Sequence, residues 1–407
     1  MRPTPTFARP TSQELASFYQ AAGHAFHEPV GPMELELSVQ RFEPQRCAGF
    51  RVGERWVATV SSYDQQLTVP GGIVRVAAVN NVTVAPDFRR TGLMTRMLTD
   101  QLTDVAGEGI PVASLWASES GIYGRFGYGH AVDRLALSGP TQTMAFHPEV
   151  DLGSGWVEEV ETAQLRPVAP PLRAAWSPTR PGTVDRSPAW WNIVLRDDEQ
   201  SRDGAGPLRH ALHRNATGDA DGYATFRIAR PPGDWRQLQV VEVVAHTLPG
   251  YARLWRFLLD IDLVRTFRHH QCGTDEPLVH LVADPTGLKR ELLDGLFVRI
   301  VDVEQALRVR RYAVDVDVVL DVEDPLLPAN TGRYRLRGGR DGADVTRVND
   351  EPQLSMHVRT LGSAYLGGVS MATLARAGLV HTDDDACLAR TSTAFGWDRA
   401  PLAADFF

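Results

Sequence analysis

A mixed α/β (α+β) fold in three consecutive domains is what this sequence predicts, and three observations carry the prediction. At 407 residues the chain exceeds one domain of the usual ~100–200 residues. Its first third runs through paired β-hairpins into a strand–turn–helix–strand passage, without the even strand–helix alternation of a doubly wound sheet. The texture then changes near residues 138 and 297, which divides the chain into 1–138, 139–296 and 297–407.

Taken in order, Thr11 or Ser12 with Glu14 reads as a helix cap, and Leu15, Phe18 and Tyr19 follow at helical spacing. Strand patterns cover Cys47–Val52, 54–62, 65–69 and 72–79, the last two joined across Pro70-Gly71. Asn81–Pro86 reads as a further strand and Asp87–Gly92 as a polar turn. Leu93, Met94, Met97, Leu98, Gln101, Leu102 and Val105 then fall at three- and four-residue intervals, as on one helix face. A strand over 112–117 leads through Ser118-Glu119-Ser120-Gly121 into a short, glycine-punctuated helix at 122–129. In the second region, 166–188 and 198–208 read as loops around a core helix at Trp190–Leu195. Strands are expected at 222–227 and 238–244, and a helix at 251–263. The third region opens near Phe297, alternates faces cleanly over 314–318, carries a small-residue helix at 370–377, and ends on Asp405-Phe406-Phe407.

Composition excludes several function classes. Acidic residues outnumber basic ones by 50 to 42, a net charge of −8, which disfavours nucleic acid or an anionic membrane as partner and suits a cationic substrate. Three scattered cysteines, Cys47, Cys272 and Cys387, form no disulfide framework, so a cytoplasmic location is expected. No apolar run approaches the ~20 residues of a membrane span, and Met1–Pro5 lack the apolar core of a signal peptide.

The passage from 81 to 129 carries the chemistry. A strand that runs through a basic, glycine-containing turn into a helix can hold a diphosphate, because the first helical amides are unpaired and their dipole favours anions. Gly92 permits close backbone approach, and Arg89 and Arg90 add positive charge. No Gly-Lys-Ser/Thr follows, so the turn is not a Walker loop, and the glycines of a dinucleotide fingerprint are missing.

This strand–Arg-x-x-Gly–helix order, followed by Tyr123-Gly124-Arg125-Phe126-Gly127-Tyr128, resembles the GNAT N-acetyltransferases, whose turn reads Gln/Arg-x-x-Gly-x-Gly/Ala; Met94 stands in the last of those positions. Val82–Pro86, Ala117-Ser118-Glu119, Gly121–Gly129 and Leu361–Gly368 narrow the resemblance to the Eis (enhanced intracellular survival) acetyltransferases, over essentially the whole chain. The resemblance implies two tandem GNAT-like domains, the second degenerate, and then a sterol-carrier-protein-like domain. The Arg-x-x-Gly at Arg230–Gly233 leads towards the strand expected at 238–244 and not into a helix, in keeping with a middle domain that binds no cofactor.

What the resemblance implies for chemistry is acetyl transfer from acetyl-CoA to a primary amine: an aminoglycoside, a polyamine or a lysine side chain. Val82, Thr83 and Val84 are expected to hold the pantetheine arm through their main chains. Arg89, Arg90, Thr91, Gly92, Leu93, Met94 and Thr95 are expected to hold the diphosphate, with Ser118 and Glu119 facing the same cleft. Tyr123 is the expected proton donor, since a phenol near ~10 is reasonably matched to a thiol near ~8.5, and Tyr128 is its rival. By resemblance the base is the carboxylate of Phe407, ionised at neutral pH with a pKa of ~3.5, with Asp405 adding negative charge nearby. Phe26, Glu28, Glu34, Glu36 and Asn81 are the candidates for the amine pocket; the family has an aromatic residue where Asn81 stands. A homohexamer is implied by the family alone.

No metal is expected. His269-His270-Gln271-Cys272 has no partner cluster, and Asp315, Asp317 and Asp321 alternate with valine as a solvated strand face does. The competing reading from another class is a non-catalytic carrier that uses the last domain to hold an apolar ligand.

Overall fold

Burial against a shared core turns those patterns into three sheets. The computed structural model describes residues 4–231 and 233–407; Met1–Pro3, read above for a leader, lie outside the described residues. Strands β1 (Thr6–Ala8), β2 (Cys47–Val52), β3 (Arg55–Val69), β4 (Gly72–Val84), β5 (Val112–Trp116) and β6 (Gly129–His130) come first. Then follow β7 (Asp133–Pro140), β8 (Trp156–Val160), β9 (Arg209–Arg214), β10 (Ala220–Ala229), β11 (Arg236–Ala245), β12 (Val264–Cys272) and β13 (Lys289–Asp294). The last are β14 (Leu296–Ile300), β15 (Val316–Glu323), β16 (Gly332–Gly339), β17 (Gly342–Arg347), β18 (Leu354–His357) and β19 (Val380–His381).

The sheet orders are β1-β2-β3-β4-β5-β14-β6, β13-β7-β12-β11-β10-β9-β8 and β17-β16-β15-β18-β19. The region expected to open the third domain thus gives its first strand to the first sheet: β14 lies between β5 and β6, antiparallel to both. One apolar core consequently runs from Val69, Val76 and Val112 through Val298 to Leu320, Leu361 and Phe395.

Four helices matter for the site: α1 (Leu15–Phe26), α2 (Pro32–Val39), α3 (Leu93–Gly107) and α4 (Ser120–Tyr123). On α3, Met97, Leu98, Gln101, Leu102 and Val105 are buried. Met97, Leu98 and Leu102 pack onto the sheet, where truncating such a side chain to alanine costs about 2–5 kcal/mol.

Several local expectations are revised. The two strand segments over 54–69 are one fifteen-residue strand, β3, and those over 72–86 are one strand, β4. At the start of α1, Glu14 accepts from the Thr11 N–H and hydroxyl, at 2.8 and 2.9 Å. The stretch 166–188 contains a helix, Ala169–Trp176, because its prolines fall in the first turn, where no intrahelical N–H is needed. The helix expected at 251–263 is Leu248–Leu259, started by Thr247, whose hydroxyl accepts from the Gly250 N–H. His269 lies buried on β12 with Nδ1 3.0 Å from the Val240 carbonyl.

Candidate active site

The site begins where β4 and β5 part. They pair in parallel only from Val76–Val112 to Val79–Leu115, so residues 80–84 of β4 have no strand on that side. A bulge sits there: the β3–β4 register shifts between Thr59 and Ser61, and Asn81 adopts a φ of 52°. Asparagine tolerates this left-handed backbone. Side chains fix it, with Thr59 Oγ1 donating to the Asn81 carbonyl at 2.8 Å and the Asn81 amide donating to Ser61 Oγ at 3.0 Å.

Two cavities meet in the gap. The first, of about 670 Å³, is walled by Val82, Thr83 and Val84, by the turn from Arg89 to Thr95, and by Ser118, Glu119 and Tyr123. Gly92 caps α3 with a φ of 82°, and a Cβ on it would meet open space. The first turn of α3 has no acidic residue and no side-chain cap, and its first intrahelical bond runs from the Arg96 N–H to the Gly92 carbonyl. The amides of Leu93, Met94 and Thr95 therefore have no intrahelical acceptor, which suits an anion at this end. Met94, half-buried, packs on the core and also lines this cavity beside the exposed Gly92.

The second cavity, of about 530 Å³, shares Phe26, Val82, Ser118 and Tyr123 with the first. Glu28, Glu34, Asn81, Phe406 and Phe407 are on its wall. Glu36 is not: it is exposed on α2, because residues two apart on a helix point in different directions while Glu34 and Ser38, four apart, share the inward face. Glu34 accepts from the Tyr19 hydroxyl at 2.9 Å and pairs with Arg196 at 3.4 Å. Arg41, Arg196 and Arg227 also line the cavity, so its charge is mixed and not acidic throughout.

Tyr123, at the end of α4, is buried beside Tyr128, ring centres 6.0 Å apart and edge to face. Burial, with a smaller contribution from Glu119, pushes its phenol up to about 12. That widens the gap from a thiol near ~8.5 and holds Tyr123 as a donor at every ordinary pH. Tyr128 lines neither cavity, and its buried hydroxyl has no hydrogen-bond partner among the described residues. The loop after α4 is held by the buried Arg299, which donates to the Phe126 carbonyl at 2.8 Å and forms a bidentate pair with Asp324, both contacts at 2.8 Å.

The chain end reaches the second cavity under restraint. The Trp116 indole N–H donates to the Asp405 carbonyl at 2.8 Å, and the Phe406 ring lies 5.2 Å from that of Trp116. The free negative charge expected of Asp405 near Phe407 is not there, because its carboxylate is buried against Arg173 and Arg186. Both arginines also contact Glu242, which accepts from the Tyr223 hydroxyl at 2.7 Å. Arg186 first, then Arg173, hold the Glu242 carboxyl down to about 2 against the burial that would raise it. Nothing local in the sequence marks Arg173, Arg186, Glu242 or Arg299; each acts on a segment far away along the chain.

This architecture is that of a GNAT acetyltransferase. The chain matches the acetyltransferase (GNAT) domain over 6–131 and again over 182–309, and the sterol carrier protein domain over 303–404. It is 38% identical over 406 residues to an uncharacterized N-acetyltransferase of Streptomyces coelicolor, covering 96% of each chain. It is 32% identical over 412 residues to the N-acetyltransferase Eis of Mycobacterium tuberculosis, covering 97% of this chain and 98% of that one. The crystal structure of Eis1 from Mycobacterium abscessus superposes with a TM-score of 0.85 at 30% identity, over 99% of this chain and all of that one. The chain belongs to the Eis family of N-acetyltransferases. It is accordingly an acyltransferase that draws on acetyl-CoA, built of two GNAT domains and a sterol-carrier-protein domain. Among the described residues no helix is long and apolar enough to cross a membrane.

Proposed function

We propose that this protein moves the acetyl group of acetyl-CoA to a primary amine by direct attack, with Tyr123 as general acid and the Phe407 carboxylate as general base. The observation that carries the reading is the sharing of Tyr123 between a cavity lined by the Arg89–Thr95 turn and a cavity lined by Phe407.

The residues fit the cosubstrate. The uncapped amides of Leu93–Thr95, the open space at Gly92 and the basic Arg89 and Arg90 suit a diphosphate. The unpaired edge of β4 from 80 to 84 offers backbone groups to a pantetheine amide. Acetyl-CoA supplies the thioester carbon that the amine attacks. In this chain, Phe407 attracts the ammonium and takes its proton, Tyr123 gives a hydrogen bond and then a proton to the departing sulfur, and Phe26 and Asn81 line the path between. Aminoglycosides, polyamines and lysine side chains are the acceptor classes, and a homohexamer in the cytoplasm is the assembly carried over from the family.

The test is thiol release from acetyl-CoA with those amines side by side, on the protein as it stands and with two glycines added after Phe407. Release by the first and a loss of at least ~100-fold in the second is expected. Full activity in the extended chain overturns the role of Phe407. No release with any amine, together with tight binding of an apolar lipid, favours the carrier reading.

A further inference from the structure

Arg41, just beyond α2, brings a cation to the wall of the acceptor cavity. Its Cζ lies 3.9 Å from the centre of the Tyr63 ring and 4.2 Å from that of Trp190, both good platforms for a guanidinium. Those rings cover its flat surface and leave the N–H edge for an acceptor. Among the described residues no carboxylate pairs with that edge and no protein acceptor takes its hydrogen bonds, and none of its nitrogens is sealed from solvent.

The other cations of the cavity are already neutralised. Arg196 pairs with Glu34 at 3.4 Å and with Asp198 at 3.5 Å, and Arg227 with Asp197 at 2.5 Å. Burial lowers the pKa of Arg41, opposed by Tyr63, Tyr19 and Asp405, as it does for a charge taken from water without a partner. A planar carboxylate is the group whose two oxygens match a guanidinium edge bidentately.

We infer that Arg41 recognises a carboxylate on the acceptor, so that the preferred substrate is a primary amine carrying a carboxylate at its far end. This rests on the reading of this cavity as the acceptor site. Its ~530 Å³ lies within the usual range for a small-molecule site. The ammonium then belongs at the Tyr123–Phe407 end and the carboxylate at Arg41, which is a different charge pattern from the polycation that an acidic pocket would select.

The experiment compares two amines of equal chain length, 6-aminohexanoate and hexylamine, in steady-state acetylation, and titrates hexanoate by calorimetry. In the unaltered protein, kcat/KM for 6-aminohexanoate should exceed that for hexylamine by about tenfold or more, as a charge-assisted pair provides. Arg41→Gln should lower kcat/KM for 6-aminohexanoate about tenfold or more beyond any change for hexylamine, and Arg41→Lys should keep part of the preference. Hexanoate should bind the unaltered protein and not Arg41→Gln. Equal kcat/KM for the two amines, or no hexanoate binding, overturns the inference even if the variants fail to fold. An equal loss for both amines in Arg41→Gln also overturns it, assigning Arg41 to packing or to the chain end. If hexanoate binds through Arg41 but neither amine is acetylated, the anion site stands and the acetyl-transfer reading is what fails.

Discussion

The carboxylate of Asp405 meets Arg186 Nε at 2.6 Å through one oxygen and Arg173 Nη2 at 2.8 Å through the other. Both arginines belong to the middle region, while Phe407, two residues on, lines a cavity that the first and middle regions share. Two residues span at most about 7 Å, so fixing Asp405 confines the chain end to a small volume. The middle domain acts here as a holder of the tail.

Asp405→Asn is therefore expected to lower turnover by about tenfold or more and to lower the thermal midpoint. It leaves two buried arginines with Glu242 alone, and breaking a buried pair costs about 3–5 kcal/mol. Steady-state kinetics beside thermal denaturation checks this. Turnover within twofold of the parent would detach the clamp from catalysis.

Tyr123→Phe should reduce kcat by about 10²-fold or more while acetyl-CoA binding stays within about twofold, since only the hydroxyl is lost. With the phenol near 12, no alkaline limb of the rate profile below about pH 10 belongs to Tyr123. A parallel loss of binding and turnover would make Tyr123 a packing residue.

Gly92→Ala should weaken acetyl-CoA binding at least about fivefold and cost roughly 1–2 kcal/mol of stability. The cost comes from the left-handed backbone, because the added methyl meets no protein atom. Calorimetric titration of coenzyme A reads the first effect. Unchanged affinity would remove the turn from the cosubstrate site.

Glu276, buried in the middle domain, has its carboxyl pushed up to about 7 by burial. A carboxyl whose folded pKa exceeds its unfolded value favours folding in its protonated form, so stability is lost as pH rises from about 4.5 to 7. Glu276→Gln should flatten that decline, by an amount on the order of 3 kcal/mol at most at pH 8. Thermal midpoints of both proteins across pH 5–8 measure it; parallel curves would show that Glu276 stays ionised when folded.

Much of the site is legible in the sequence because its signals are local. The strand β4, the turn at Arg89–Gly92 and α3 lie within 36 consecutive residues, and Tyr123 follows in a short glycine-marked segment. What the sequence hides is set by distant partners. Arg186 and Asp405 are 219 residues apart, and the bulge at Asn81 depends on Thr59 and Ser61 of another strand. Glu36 misleads because acidity alone does not tell which face of α2 a residue takes. The boundary near 297 misleads for a different reason: β14 is as apolar as a strand that opens a new domain, and only its pairing with β5 shows where it belongs.

That pairing bears on how the protein is made. During synthesis, the sheet that carries Asn81 and Trp116 lacks a strand between β5 and β6 until Ile300 has emerged from the ribosome. From the emergence of Trp116 until that of Ile300, β5 presents an open apolar edge, the kind of surface that recruits chaperones and seeds aggregation. A gene fragment that encodes the first domain alone inherits that defect permanently, so shuffling this domain into other proteins requires taking β14 with it.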